Sequence, residues 1–243
     1  MAMNRKPFNW SLLDRTNLYA MLYELKPSVV GRRIAIKDLQ KLLSAHIKWH
    51  LPIKVTLTRD PKHEKGLVYI GGAYYSSNDI ENRRHVEITF SYKDTNATIK
   101  LSDSRWDRMC NLFADTMLHE IIHIRQYRTR EFKDIPGYES TAYYARDRKE
   151  QEYYGHKDEM GAFSFNIACE LYDKFGDDFD AAKRYLDSNL AKRAKKSSYH
   201  KYLKTFDWNH NHPVIRSMKK KIIRNLPYAQ IGKPFRTTNH LTY

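Results

Sequence analysis

Two histidines and a glutamate stand at a spacing that suits zinc chemistry. The stretch from His119 to His123 reads HEIIH, so the histidines are four residues apart and Glu120 directly follows the first. In an α-helix, positions four residues apart share a face, and both imidazoles can reach one zinc ion at about 2.0–2.1 Å. From its position, Glu120 can take a proton from a zinc-bound water. The spacing therefore predicts a hydrolytic zinc site.

Chance is a poor explanation for this HExxH pattern. In 243 residues with 11 histidines and as many glutamates, random order would produce it about 0.02 times. The alternative interpretation treats His119 and His123 as core residues of a helix, with Glu120 paired to a nearby arginine. Two imidazoles and a carboxylate buried together would then need other polar partners. We therefore favour the metal interpretation.

A catalytic zinc ion generally has three protein ligands and one open position. Residues 124–129 read IRQYRT, so the longer pattern with a glycine and a third histidine soon after the motif is not followed. The remaining candidates for the third ligand are Glu152, His156 and Glu159. We prefer Glu159, because it opens a helical stretch whose next residues include Gly and Ala, which would allow close approach to the metal helix.

Hydrophobic periodicity predicts the elements that must position these residues. Apolar residues at three- and four-residue steps indicate helices, and alternating apolar residues indicate short strands between the second and third helices. The predicted helices cover 10–25, 36–50, 103–128, 157–174, 178–190 and 213–226. The predicted strands cover 53–57, 67–75, 86–90 and 97–101. The fold class is therefore α+β, with a small and mostly antiparallel sheet.

Three other stretches lack such a pattern. Residues 131–156 are rich in tyrosine and contain a Pro-Gly pair, which predicts a long loop or a broken helix. Residues 191–198 are typical of a linker, and we expect the chain beyond Pro227 to be loose.

Positive charge is concentrated at the end of the chain. Residues 181–243 carry a net charge of +13, whereas the whole chain carries +15. Such a segment can attract nucleic acid, anionic lipid or an acidic protein, and a solvated basic helical face is the alternative. Its aromatic residues Tyr199, Tyr202 and Phe206 could stack on bases. We favour the other interpretation, in which they form the buried face of a short helix.

The cysteine content and the length of the apolar segments indicate the cellular compartment. Cys110 and Cys169 are distant in sequence and lie among apolar residues, which argues against a disulfide framework and favours a reducing compartment. The N-terminal residues lack the apolar core of a signal peptide, and no stretch approaches the roughly 18 apolar residues of a membrane span. We therefore expect a soluble, cytoplasmic protein.

Two segments together resemble a known family. HEIIHIRQYR at 119–128, followed by Y-x-x-H-x-D-E-x-x-A at 153–162, is similar to the gluzincin metallopeptidases, above all to small single-domain minigluzincins and to phage-encoded peptidases of similar plan. The resemblance covers about 40–175. It implies a zincin lobe in which His119, His123 and Glu159 bind Zn²⁺ and Glu120 activates water for peptide hydrolysis. For a phage-encoded chain, the compartment would be the host cytoplasm.

The resemblance also suggests where the substrate would bind. It implies that Val86–Tyr92 is the strand edge against which a peptide pairs. We predict a metallopeptidase domain at 1–176 and a basic helical extension at 177–243. His156, Tyr153 and Tyr154 are candidates for stabilising the oxyanion or contacting substrate.

The chain departs from this family at one position after the glutamate ligand. Phe163 occupies the position where thermolysin-like members have an aspartate four residues after the glutamate ligand, so another group would have to orient a histidine. A second resemblance, to DNA-associated SprT-like proteases, depends on Gly155-His156, which imitates their Gly-His pair at a longer spacing. The alternative function is therefore binding of nucleic acid or an acidic partner through residues 181–243, with or without proteolysis.

Overall fold

The computed structural model describes residues 8–94, 96–195 and 197–230. The chain divides into two compact units, Met1–Phe132 and Lys133–Tyr243. The boundary that we predicted after residue 176 falls within the second unit, and the functional division expected there stays a prediction. No helix in the described part of the chain has the length and apolar character needed to cross a membrane.

The first unit combines helices with two small sheets, which confirms the mixed α+β class. A single 3-10 turn, Trp10–Leu12, precedes them. The helices are α1 (Arg15–Tyr23), α2 (Lys26–Val29), α3 (Ile36–His50), α4 (Ser76–Ile80) and α5 (Asp103–Thr129). The strands are β1 (Arg33–Ala35), β2 (Lys54–Arg59), β3 (Tyr69–Tyr74), β4 (Val86–Tyr92) and β5 (Thr98–Lys100). All four strands predicted from alternation are present.

The sheets differ from the prediction in their pairing. One sheet has the order β2-β4-β3, with β2 parallel and β3 antiparallel to β4, and the other pairs β1 with β5 antiparallel. Alternation along a strand shows which face is buried but not which neighbour it pairs with. The parallel β2–β4 pair was for this reason not predicted.

The predicted edge strand is a second correction. Strand β4 lies in the centre of its sheet, and β3 and β2 are the outer strands. Every second residue of β4 is buried, from Val86 to Tyr92, which is the pattern of a strand with one face on the core. That pattern is shared by central and edge strands, so it led to the wrong assignment. Any peptide that pairs with this sheet must use another strand.

Helices cover the buried face of the three-stranded sheet. Helix α3 contacts β2, helix α5 contacts β3, and helix α1 packs against α5. The apolar stripe predicted for α3 is confirmed, since Leu39, Leu43 and Ile47 are fully buried. The HExxH helix is thus held between a strand and a second helix within one unit.

The second unit is helical in its described residues. Its elements are α6 (Ala145–Gly155), α7 (Lys157–Phe175), α8 (Phe179–Asp187), α9 (Leu190–Arg193), α10 (Ser198–Thr205) and α11 (Pro213–Ala229). Helices α7 and α11 share a core in which Asn225 Nδ2 donates to Ser164 Oγ at 3.0 Å. Gly176 ends α7 with a φ of +57°, a conformation that suits glycine.

Residues 131–156 contain α6 in their second half, which agrees with the broken-helix alternative. Two other predictions for this unit need correction. Helix α9 extends into the predicted linker at 191–198. Helix α11 continues through Pro227 to Ala229, where proline removes only one hydrogen bond near the helix end. Residues 231–243, also predicted to be loose, lie outside the described residues.

The buried role favoured for the aromatic residues in and directly after α10 is confirmed. Tyr199, Tyr202 and Phe206 are at most 1% exposed. Their rings are therefore packed inside the unit and are not available for stacking on bases.

Candidate metal centre

Helix α5 presents the HExxH motif from a rigid and buried segment. Ser102 caps its N-terminus, with Oγ accepting a hydrogen bond from the backbone N–H of Arg105. Residues 117–124 are all buried, so two turns of the helix are covered on every side. Side chains in such a segment have few rotamers available, which favours a fixed arrangement of ligands.

His119 and His123 face each other across one turn of α5. Each residue is only 8% exposed, and the ring centroids are 4.8 Å apart with an angle of 74° between the planes. A ring nitrogen of His119 lies within 4.8 Å of one of His123. The structure therefore brings together the two histidines that the spacing predicted, with ring nitrogens close enough to share one ion.

Gln126 orients one of these histidines. Its Oε1 lies 2.8 Å from Nδ1 of His123. Because an amide oxygen can only accept a hydrogen bond, Nδ1 carries the hydrogen and Nε2 keeps its lone pair for a ligand. Metal-binding histidines usually have such an outer partner. Sequence reasoning missed this residue, although an acceptor three positions after a histidine on a helix is a usable signal.

Glu120 lies against the backbone of β3. The residue is 5% exposed. A Cβ atom built on Gly72 would lie 2.5 Å from Oε1 of Glu120 and 2.8 Å from Cγ2 of Thr116. Only glycine permits this approach. The signal was present in the sequence as a Gly-Gly pair inside a strand, a pattern that marks close contact with another element.

Tyr75 follows β3 and belongs to the same region. Its hydroxyl donates to Oε2 of Glu87 at 3.2 Å. Partial burial raises the pKa of Tyr75, and the negative charges of Glu87 and, more weakly, Glu120 raise it further. The Tyr75 hydroxyl therefore keeps its hydrogen at neutral pH and uses it in the hydrogen bond to Glu87. This residue was also missed, because nothing in its local sequence distinguishes it.

An ionic network around the buried carboxylate of Asp79 holds the C-terminal end of α5. Arg128 donates to both carboxylate oxygens of Asp79, at 2.9 and 2.6 Å, and the Tyr74 hydroxyl donates to the same carboxylate at 2.9 Å. Burial alone would raise the pKa of Asp79, but these hydrogen bonds outweigh it and lower the pKa. The network ties the HExxH helix to α4 and to the end of β3.

Neither known protein families, nor curated proteins, nor solved structures give a match to this chain. The chemistry of the site must therefore be judged from its own residues.

The other predicted site residues belong to the second unit. Glu159 lies in the first turn of α7 and is half-buried. His156 is the N-cap of this helix, where Nδ1 accepts a hydrogen bond from the backbone N–H of Asp158 at 3.3 Å. This bond leaves the hydrogen of a neutral imidazole on Nε2, which is then a donor. The roles predicted for Glu159 and His156 stay predictions.

The two tyrosines proposed to contact substrate differ in exposure. Tyr153 is 47% exposed, whereas Tyr154 is 5% exposed and packs against Phe163 and Tyr202. Within the second unit, Tyr153 is thus the more accessible of the pair. Neither role has been tested by this geometry, and both stay predictions.

The second unit also has a basic cavity. Its volume is about 310 Å³, and it lies around the N-terminal part of α10. The lining residues are three lysines, two serines and a histidine: Lys195, Ser197, Ser198, His200, Lys201 and Lys204. All three lysines are exposed, so their charges face solvent.

Proposed function

We propose that this protein is a zinc-dependent metallopeptidase of the gluzincin type, with a zincin-like lobe. The observation that carries the proposal is the buried pair His119 and His123, with facing rings on one side of α5 and with Glu120 next in sequence to the first. A metal ion held by the two imidazoles, with a water near the carboxylate, would use all three groups together.

The chemistry of the donor set supports zinc. His119 and His123 would supply two imidazole nitrogens, and Glu159 from α7 would supply a carboxylate oxygen. Two histidines and a glutamate leave one coordination position open, as in zinc peptidases. The Gln126 acceptor supports this assignment, because it keeps Nε2 of His123 unprotonated.

When bound, zinc would polarise the scissile carbonyl and acidify a water molecule. Glu120 would take the proton from this water and deliver it to the leaving amine. Its contact with Gly72 fixes the carboxylate on the strand side of α5. His156, through Nε2–H, is the first candidate to donate to the oxyanion, and Tyr153 and Tyr154 are further candidates.

Strand β3 is the edge best placed to hold a peptide. It pairs with β4 on one side, and among the described residues no strand pairs with its other side. An extended peptide could add to that side by main-chain hydrogen bonds. Gly72, which lies against Glu120, would then belong to the strand that pairs with the substrate.

Zinc content tests the ligand set. We expect about one zinc per chain at this site, lost in Glu159→Ala and retained in Glu152→Ala and His156→Ala. Glu152 and His156 are the matched controls, because both were alternative third ligands. Loss of zinc in His156→Ala with retention in Glu159→Ala would overturn the assignment.

Hydrolysis of a casein or peptide-library substrate tests the reaction. Glu120→Gln keeps the size of the side chain but removes the base. We expect it to abolish hydrolysis while zinc stays bound. Substantial activity in this variant would rule out the role of Glu120.

A second candidate function is supported by the basic cavity. In this alternative, residues 181–243 bind nucleic acid or an acidic partner, either with the first unit as a scaffold or in a DNA-associated protease of the SprT-like kind. Three exposed lysines around one cavity favour phosphate-rich ligands. A protease recruited by its basic segment would combine both functions.

A further inference from the structure

A second group of metal-binding residues lies in the first unit, on elements other than α5. Helix α3 ends at His50, and His46 lies four residues earlier, so the two share a face. Glu24 is the residue that follows α1. One possible ligand atom from each of these three residues lies within 4.8 Å of the other two.

The two histidines have the geometry of a bidentate pair. Their ring centroids are 4.8 Å apart, the same distance as between His119 and His123. Oε2 of Glu24 lies 3.6 Å from Nε2 of His46. Two ligands of a tetrahedral zinc ion are about 3.4 Å apart when each bond is about 2.1 Å. Modest side-chain rotation would therefore bring the three groups onto one ion.

The end of α1 makes this location favourable for a cation. The last carbonyl groups of a helix have no intrahelical donor and carry partial negative charge. Met21 supplies one such carbonyl, which lies 2.6 Å from Nε2 of His46. Nε2 of His46 thus lies near a carbonyl oxygen and a carboxylate. When the imidazole hydrogen is on Nδ1, a metal ion bound at Nε2 would meet oxygen and nitrogen donors together.

Exposure allows the site to close around an ion. His46 is half-buried and anchored by Met21, whereas Glu24 and His50 are exposed and have room to move. The alternative is a simple contact between a His46 imidazole and Glu24. That contact does not explain the position of His50, whose ring faces His46 from the next turn.

We propose that Glu24, His46 and His50 form a second divalent-metal site, which takes Zn²⁺ or the related borderline ions Ni²⁺ and Cu²⁺. Imidazole with one carboxylate suits this group of metals, whereas Mg²⁺ and Ca²⁺ prefer oxygen ligands alone. The site is independent of the proposed peptidase function. Its exposure suits an ion that exchanges with solvent.

Equilibrium dialysis of the full chain against buffered free zinc tests this proposal. The decisive variants are His50→Ala and Glu24→Gln, since both residues are exposed and their replacement should leave the fold intact. His63→Ala is the matched control, because His63 also has a carboxylate neighbour, Asp60 at 3.9 Å, but no histidine of the described part of the chain is among its contacts. Circular dichroism spectra of all variants should coincide.

We expect wild type to bind one more zinc than His50→Ala or Glu24→Gln, and His63→Ala to bind as much as wild type. Equal binding by wild type and His50→Ala would overturn the second site. The zinc counts also distinguish failure of this site from failure of the proposed peptidase site. If only the proposed peptidase site is wrong, wild type binds one zinc and His50→Ala none. If only the second site is wrong, both bind one.

Discussion

The carboxylate of Glu120 lies so close to Gly72 that a single methyl group on the glycine would be 2.5 Å from Oε1. Such a distance is well below van der Waals contact. The HExxH helix can therefore approach β3 this closely only because residue 72 has no side chain. Gly71, its neighbour in the same strand, has no atom within 4 Å of its built Cβ position.

This difference predicts that two similar variants will differ in their free energy of unfolding. Gly72→Ala should lower the free energy of unfolding by about 1–3 kcal/mol, since the added methyl group overpacks a filled space. Gly71→Ala should change it by less than about 0.5 kcal/mol. Urea unfolding measures both. Any effect of alanine on strand propensity is common to the two variants, so the difference between them isolates the contact.

The same pair of variants bears on activity. If Glu120 is the base, Gly72→Ala displaces its carboxylate and should reduce kcat while zinc content is unchanged. Gly71→Ala should retain activity. Equal stability and equal kcat in the two variants would contradict the positioning role of Gly72.

Gln126 should tune metal affinity through His123. Gln126→Leu removes the acceptor for Nδ1–H and should weaken zinc binding at least about 10-fold. Gln126→Glu supplies a stronger acceptor and should restore binding to at least the wild-type value. Competition with a zinc chelator measures the affinity. A loss of the same size in both variants would indicate that the side chain acts through packing alone.

The Asp79 network predicts a dependence of stability on pH. Hydrogen bonds from Arg128 and Tyr74 hold the pKa of Asp79 below its ordinary value in the folded state. Its contribution is therefore complete above about pH 4, the ordinary range for aspartate, and is lost as the pH falls through the lowered pKa. Asp79→Asn should cost about 2 kcal/mol at pH 7, because it weakens charged hydrogen bonds in a buried site.

Urea unfolding at pH 7 and at pH 3 tests whether the stabilising contribution of Asp79 falls in acid. The difference between wild type and Asp79→Asn should shrink in acid. Asp180→Asn is the control, since Asp180 is fully exposed beside Lys183 and its replacement should change stability little at either pH. A difference for Asp79→Asn that grew in acid would contradict the assigned pKa direction.

The basic cavity predicts a salt-dependent interaction with single-stranded nucleic acid. Replacing Lys195, Lys201 and Lys204 together by glutamine should lower the slope of log affinity against log salt by about 2, since each phosphate contact contributes about 0.7. Replacement of Lys183 and Lys219 is the control, because both already pair with aspartates of this chain. Fluorescence anisotropy over a salt series measures the slope. An unchanged slope in the triple variant would show that the cavity does not contact phosphates.

The spacing of residues along the chain was sufficient to predict the histidine pair, the bounds of α3 and which side chains of α10 are buried. The i, i+4 relation of His119 and His123 depends only on helix geometry, and it is present in the structure as expected. Helix α3 has the predicted bounds, because a continuous apolar stripe and its termini are local features. The burial of Tyr199 and Tyr202 followed from the same periodicity.

Other features depended on contacts between distant segments, which no local pattern encodes. The parallel pairing of β2 with β4, and hence the edge position of β3, was decided by how three strands assemble over one core. The approach of Glu120 to Gly72 joins residues far apart in the chain, and so does the pairing of Arg128 with Asp79. Helix periodicity selected which residues face inward, whereas tertiary packing alone decided what each of them meets there.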